Sequence, residues 1–209
     1  MIGILAIQIN KIWYFIRKLI FYKKMIGQQK LIAMQRVKNE FEDLKNNPIL
    51  NIGAQVGLPN QNNIMEWKCT MLGPQDTPFG GGLFYLKIKF PDNYPNKPPE
   101  VSFLTPIYHI NVNHKKPTKN QTESLGHVCI SSLNWWNPKK STIKAVLHDI
   151  FALFYMSNPK SPYGVDRAKE FQTNRKLYDN KCRYFTNKYA AINIDQLTYT
   201  NDWDFSYPQ

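Results

Sequence analysis

Acidic residues are absent from the first 38 positions of this chain, which hold Lys11, Arg17, Lys18, Lys23, Lys24, Lys30, Arg36 and Lys38. Over 209 residues the formal net charge is +12. A surplus of one sign favours acidic counterparts, such as an anionic membrane, nucleic acid or an acidic protein face. Plain solubility, with a coding bias towards Lys, Asn and Ile, is the alternative. Cysteine is scarce. Cys69, Cys129 and Cys182 form no CxxC pair, which excludes a disulfide framework and leaves a zinc site without spaced ligands. A reducing compartment, cytosol or nucleus, follows. Uncharged apolar runs are short as well. The opening MIGILAIQINKIWYFIRKLIFYKK is broken by Lys11, Arg17 and Lys18, below the ~20 residues a membrane span needs. Its charges and ending do not fit a signal peptide, and it is too poor in Arg and Ser for a presequence. A helix lying on a membrane surface through residues 1–25 remains, with Trp13, Tyr14, Phe15 and Phe21 at the interface. Packing on the domain, or an unused leader before Met25 or Met34, stays open.

What is present is periodic. Leu31, Met34, Val37, Phe41 and Leu44 recur at helical steps and stop near Asn47-Pro48. Met65, Trp67, Cys69 and Met71 then alternate with polar residues, as do Phe84, Leu86, Ile88 and Phe90, and Val101 with Phe103. Alternation predicts half-buried strands, and GPQDTPFGGG and PDNYPNKPP supply turns between them. From Ser141 the period turns helical again. Ile143, Leu147, Ile150, Phe151 and Phe154 mark one helix; Phe171, Tyr178, Cys182, Phe185 and Tyr189 mark a longer stripe. Helix, antiparallel meander, helices is a segregated α+β domain. Residues 192–209, with Asp195, Asp202 and Asp204, fall outside the pattern; they predict a mobile tail, with docking on the basic surface as the alternative.

Cys129 lies in LGHVCISSLNWWNP, a loop-like stretch, whereas Cys69 and Cys182 sit on apolar stripes and predict core packing. A protease-type nucleophile needs a positioned histidine. His109, His114, His127 and His148 form no Cys-His signature, so hydrolysis is disfavoured. Gly80 to Gly82 lack a following Lys-Ser or Lys-Thr, which excludes a phosphate loop.

The run TMLGPQDTPFGGGLFYLKIKFPDNYPNKPPEVSFLTPIYHINV, followed by GHVCISSLNWWNPKKS, resembles the ubiquitin-conjugating enzyme family. The family's Gly-Pro and Gly-rich turns, YPxxPP, Gly-x-x-Cys site and Trp-x-Pro loop occur in order, with His109-Ile110-Asn111 at the place of its His-Pro-Asn triplet. The likeness covers roughly residues 29–191, with 1–28 as an N-terminal extension. It implies a helix, a four-stranded antiparallel meander and C-terminal helices. It implies, too, that Cys129 takes ubiquitin from the activating enzyme as a thioester and passes it to a lysine of a substrate protein, usually with a ubiquitin ligase. No cofactor, metal or nucleic acid is expected.

By the same resemblance Asn111 falls on the triplet's asparagine, an oxyanion donor or a brace for its loop. His109 braces the turn. Ile110 replaces the triplet's proline, which removes a fixed φ and predicts a looser presentation of Asn111. Ser161 flanks the cysteine and positions the amine, and Tyr163 helps wall the site. Arg36 and Lys38 fall where the family meets the activating enzyme. Asn96, Pro138 and Lys139 fall on its ligase-contacting loops, although Asn96 and Lys139 lack the apolar and small residues of members that use RING-type ligases. The link from Asn111 to Cys129 is about twice the family's usual length, which marks residues 112–124 as an insertion. A non-catalytic scaffold of the same fold, or an enzyme for a ubiquitin-like modifier, stays open.

Overall fold

The computed structural model describes residues 2–49, 53–58, 62–116, 124–191 and 203–208, with side chains of the first helix described at Trp13 and from Phe15 onward. Residues 2–46 contain no proline and two glycines, Gly3 and Gly27, and they form one unbroken helix, α1 (Ile2–Asn46). At about 1.5 Å per residue it is roughly 65 Å long. Its buried residues, among those described, lie in the last third. Ala33, Val37, Glu40 and Leu44 are buried there, spaced as one helical face. Leu31 and Met34, predicted on that face, are instead exposed, because the buried line runs through Ala33 and Val37. Towards its N-terminus, α1 exposes Trp13, Phe15, Leu19 and Phe21. Among the described residues no helix is long and apolar enough to cross a membrane.

Four strands follow: β1 (Gln55–Gly57), β2 (Glu66–Leu72), β3 (Leu83–Lys89) and β4 (Glu100–Phe103). They pair antiparallel in chain order, the predicted meander. Register places Trp67 opposite Ile88 and Cys69 opposite Leu86, with Val101 and Phe103 completing the rows. These side chains share one buried face, the consequence of period-two alternation with one side covered. Phe41 of α1 meets Trp67 edge-on at 5.3 Å.

Beyond the sheet come α2 (Ser131–Asn134), α3 (Ile143–Tyr155), α4 (Val165–Thr173) and α5 (Arg175–Tyr189). Thr142 caps α3 by accepting from the Ala145 N–H at 3.3 Å, and Phe154 carries α3 onto the sheet through Phe84 at 5.1 Å. The predicted long stripe is two helices. Asn174 turns the chain and its side chain accepts from the Leu177 N–H, the local bonding that makes asparagine start helices rather than continue them. The predicted mobile tail also differs over its described residues. Trp203, Phe205 and Tyr207 pack on the core while Asp204 pairs with Lys188. Phe205 lies 5.0 Å from Phe185, and the Arg167 guanidinium is held between the rings of Tyr108 and Phe205 at 4.1 and 4.3 Å.

One buried carboxylate joins α1 to α3. Glu40 accepts from Arg36 at 2.6 Å, from the Tyr94 hydroxyl at 2.6 Å and from the Ile143 N–H at 2.7 Å. Glu40→Ala leaves these donors unpaired at once. The expected loss is about 3 kcal/mol, within the range for breaking one side of a buried pair, measured by urea unfolding. A loss as small as that of a surface substitution would contradict this role.

Candidate functional site

The site is built where three irregular segments meet. After β4 the chain turns back, and residues 111–113 run antiparallel to 126–129. The Cys129 N–H donates to the Asn111 carbonyl at 3.0 Å, Asn113 N–H to His127 at 2.9 Å, and Gly126 N–H to Asn113 at 2.7 Å. Gly126 is required at this crossing. It has φ +81°, and a Cβ there would lie 2.1 Å from the Phe103 carbonyl oxygen. The ends of the predicted insertion are therefore clamped beside the site. His114 at its root packs on Gly164, and residues 117–123 lie outside the described residues.

Asn111 is fully buried, and its side chain is fully used. Its amide donates to the carbonyls of Asn158 and Ser161 at 2.8 and 2.9 Å, and its oxygen accepts from the Asn158 N–H at 2.8 Å. Two carbonyls can only accept, so the amide orientation is fixed by its partners. Its backbone N–H donates to His109 Nδ1 at 3.0 Å. The His109 proton thus resides on Nε2, 3.1 Å from the Leu153 carbonyl and 3.1 Å from the Ser157 hydroxyl. Burial, with the Arg167 charge nearby, lowers its pKa to about 4. It is a neutral brace. Ile110 does not loosen this turn. Its N–H, which proline would lack, donates to the buried Tyr178 hydroxyl at 3.2 Å, and its carbonyl accepts from Tyr163 at 2.8 Å.

The Cys129 thiol, half-buried, sits in the wall of a cleft of about 530 Å³. Phe90, Pro98, Pro99 and Leu133 form its apolar lining, with Lys89, Lys97, His127, Asn134 and Tyr163 around them. Among the described residues, the sulfur's polar neighbours are Ser161 Oγ at 3.2 Å and Asn134 Nδ2 at 3.6 Å. Cys69 and Cys182 are buried in the core, as predicted. Burial pushes the Cys69 thiol up to about 12 and the Cys182 thiol well above its ordinary range.

A cysteine on a loop after a four-stranded meander, braced by an asparagine two positions beyond a histidine, has a counterpart among known proteins. The sequence model of the ubiquitin-conjugating enzyme family matches residues 36–186. The chain belongs to this family. The match runs from the core-facing part of α1 almost to the end of α5, the same stretch that forms the packed domain.

Within this family member, the structure gathers Asn111, His109, Ser161 and Cys129 into one site. Tyr163 lines the same cleft, and the positions expected to meet partner enzymes are not among its lining residues. Arg36 is half-buried, its guanidinium bonded to Glu40 and to the Ser141 carbonyl at 3.1 Å, while Lys38 is exposed. Asn96, Pro138 and Lys139 occupy two adjoining loops, stitched by the Trp136 ring nitrogen donating to the Pro95 carbonyl at 2.6 Å. Asn134 escaped the sequence reading. The available signal was its place five residues after Cys129, where one helical turn, closed by its N–H to the Ile130 carbonyl at 3.2 Å, brings it back to the sulfur.

The His109 pKa fixes the sign of a pH dependence. The unfolded chain, with histidine near 6.5, binds a proton that the folded protein refuses until about pH 4. Stability is therefore full above about 6.5 and falls as pH drops towards 4, by about 3 kcal/mol for a shift of this size. His114, lowered to about 4 by burial and then by Arg167 and Lys115, acts in the same direction. Urea unfolding between pH 4 and 7.5 should show a shallower slope in His109→Gln than in the wild type. Identical slopes would remove His109 from this account.

Proposed function

We propose that this protein accepts ubiquitin from the activating enzyme as a thioester on Cys129 and transfers it to a substrate lysine, with a ligase as the usual guide. The observation that carries this is the setting of Cys129, which is the one cysteine of the three not buried in the core and lines a cleft, with a hydroxyl and an amide at its sulfur. Acyl transfer between thiols starts from an already activated carboxyl and needs no histidine base at the sulfur. Asn111 and His109 hold the segments that present Cys129, and Ser161 faces the incoming amine. Arg36 and Lys38 belong to the contact with the activating enzyme; Asn96, Pro138 and Lys139 belong to the ligase contact.

Incubation with ubiquitin, activating enzyme and ATP should give an adduct on the wild type that reductant removes, and none on Cys129→Ala. Absence of any adduct, with ubiquitin or with ubiquitin-like modifiers, would favour a binding scaffold of the same fold.

We further propose that residues 1–25 lie on an anionic membrane surface. Exposed Trp13, Phe15, Leu19 and Phe21 alternate along α1 with Arg17, Lys18, Lys23 and Lys24, and no acid precedes Glu40. Because α1 continues unbroken into the core, such binding would orient the whole domain. The full chain should float with phosphatidylserine vesicles, less so in high salt, and a chain lacking residues 1–25 should not. Equal flotation of both would refute the assignment.

A further inference from the structure

Resting on the thioester reading, we infer that Asn134, and not Asn111, supplies the amide that binds the oxyanion formed on Cys129. When a neutral lysine amine attacks the thioester, its nitrogen lone pair makes the new C–N bond and the carbonyl π pair moves onto oxygen. Collapse of this adduct restores C=O, breaks the C–S bond and leaves the electron pair on Sγ. The proton lost by nitrogen passes through solvent to the sulfur, giving amide and free thiol. The charge to be stabilised is thus on an oxygen one carbon away from Sγ, and the helping donor must be close to that sulfur and free to turn.

Asn111 does not meet this requirement. Both of its amide hydrogens are held by the Asn158 and Ser161 carbonyls inside the protein. Turning one towards Cys129 would unpair a carbonyl and loosen the loop that carries Ser161. Asn134 does meet it. Its Nδ2 already lies 3.6 Å from Cys129 Sγ, its side chain's one hydrogen-bond partner among the described residues, and the residue is exposed in the lining of the cleft. A small side-chain rotation carries the N–H from the sulfur to an oxygen on the adjacent carbon without breaking another bond. Ser161 Oγ, 3.2 Å from the sulfur and on the Asn111-braced loop, is left to receive the amine.

The test is single-turnover discharge of the preloaded thioester to free lysine, with melting temperature recorded beside it. Asn134→Ala should slow discharge at saturating lysine by about 10²-fold, the usual order for one lost oxyanion donor. KM for lysine and melting temperature should stay near wild type. Asn134→Asp, which has no N–H, should show the same loss, and Asn134→Gln should recover part of it. Asn111→Ala, by contrast, should lower the melting temperature. Failure of a normally folded Asn134→Ala to load would also support the assignment, because loading passes through the same kind of oxyanion. Discharge by Asn134→Ala within about twofold of a wild type that charges and discharges would overturn the inference and leave the thioester reading intact. A wild type that never charges would remove both.

Discussion

The side chain of Asn111 is the constraint on which the site depends. Three hydrogen bonds from one amide tie the 158–161 loop to the segment preceding the insertion, and its backbone carbonyl holds Cys129 by the N–H. Buried polar groups left unpaired cost of the order of 1–3 kcal/mol each, so these segments are fixed together. The position of Ser161 beside the sulfur follows, since its own carbonyl is one of the groups Asn111 holds. Preorganisation of this kind places groups around a reacting atom before the substrate arrives.

Glu40 does similar work away from the cleft. It draws the N-terminus of α3, the Tyr94 loop and Arg36 onto α1, and Trp136 links the Tyr94-Pro95 segment to the loop carrying Pro138. Motion of α1 would therefore be felt at the loops proposed to meet partners. The unbroken course of α1 gives its projecting basic part a rigid connection to that network.

Much of the core was legible because burial imposes a period. Trp67, Cys69 and Met71, and Phe84, Leu86 and Ile88, lie where alternation put them, since a strand covered on one face admits no other arrangement. The α3 stripe held for the same reason. Leu31 and Met34 failed because an apolar residue on a helix carries no mark of whether a partner lies opposite. β1, with three residues, is too short to show a period. The break at Asn174 was a capping signal outweighed by the apolar stripe around it. The tail's Trp203, Phe205 and Tyr207 alternate with polar residues, but what they cover was assembled from distant segments.

The candidate site divides in the same way. Sequence by itself determined the α+β order, the single cysteine outside the apolar stripes and the cluster of motifs around it, because turns, caps and periodicity are local. Only tertiary structure decided what each polar side chain does. Asn111 is spent on the 158–161 loop, His109 is a neutral brace, Ile110 gains a bond to Tyr178, and Asn134 reaches the sulfur. A hydrogen bond is set by distance and direction between atoms whose separation along the chain is arbitrary. The residue types could announce donors and acceptors, and the fold alone could pair them.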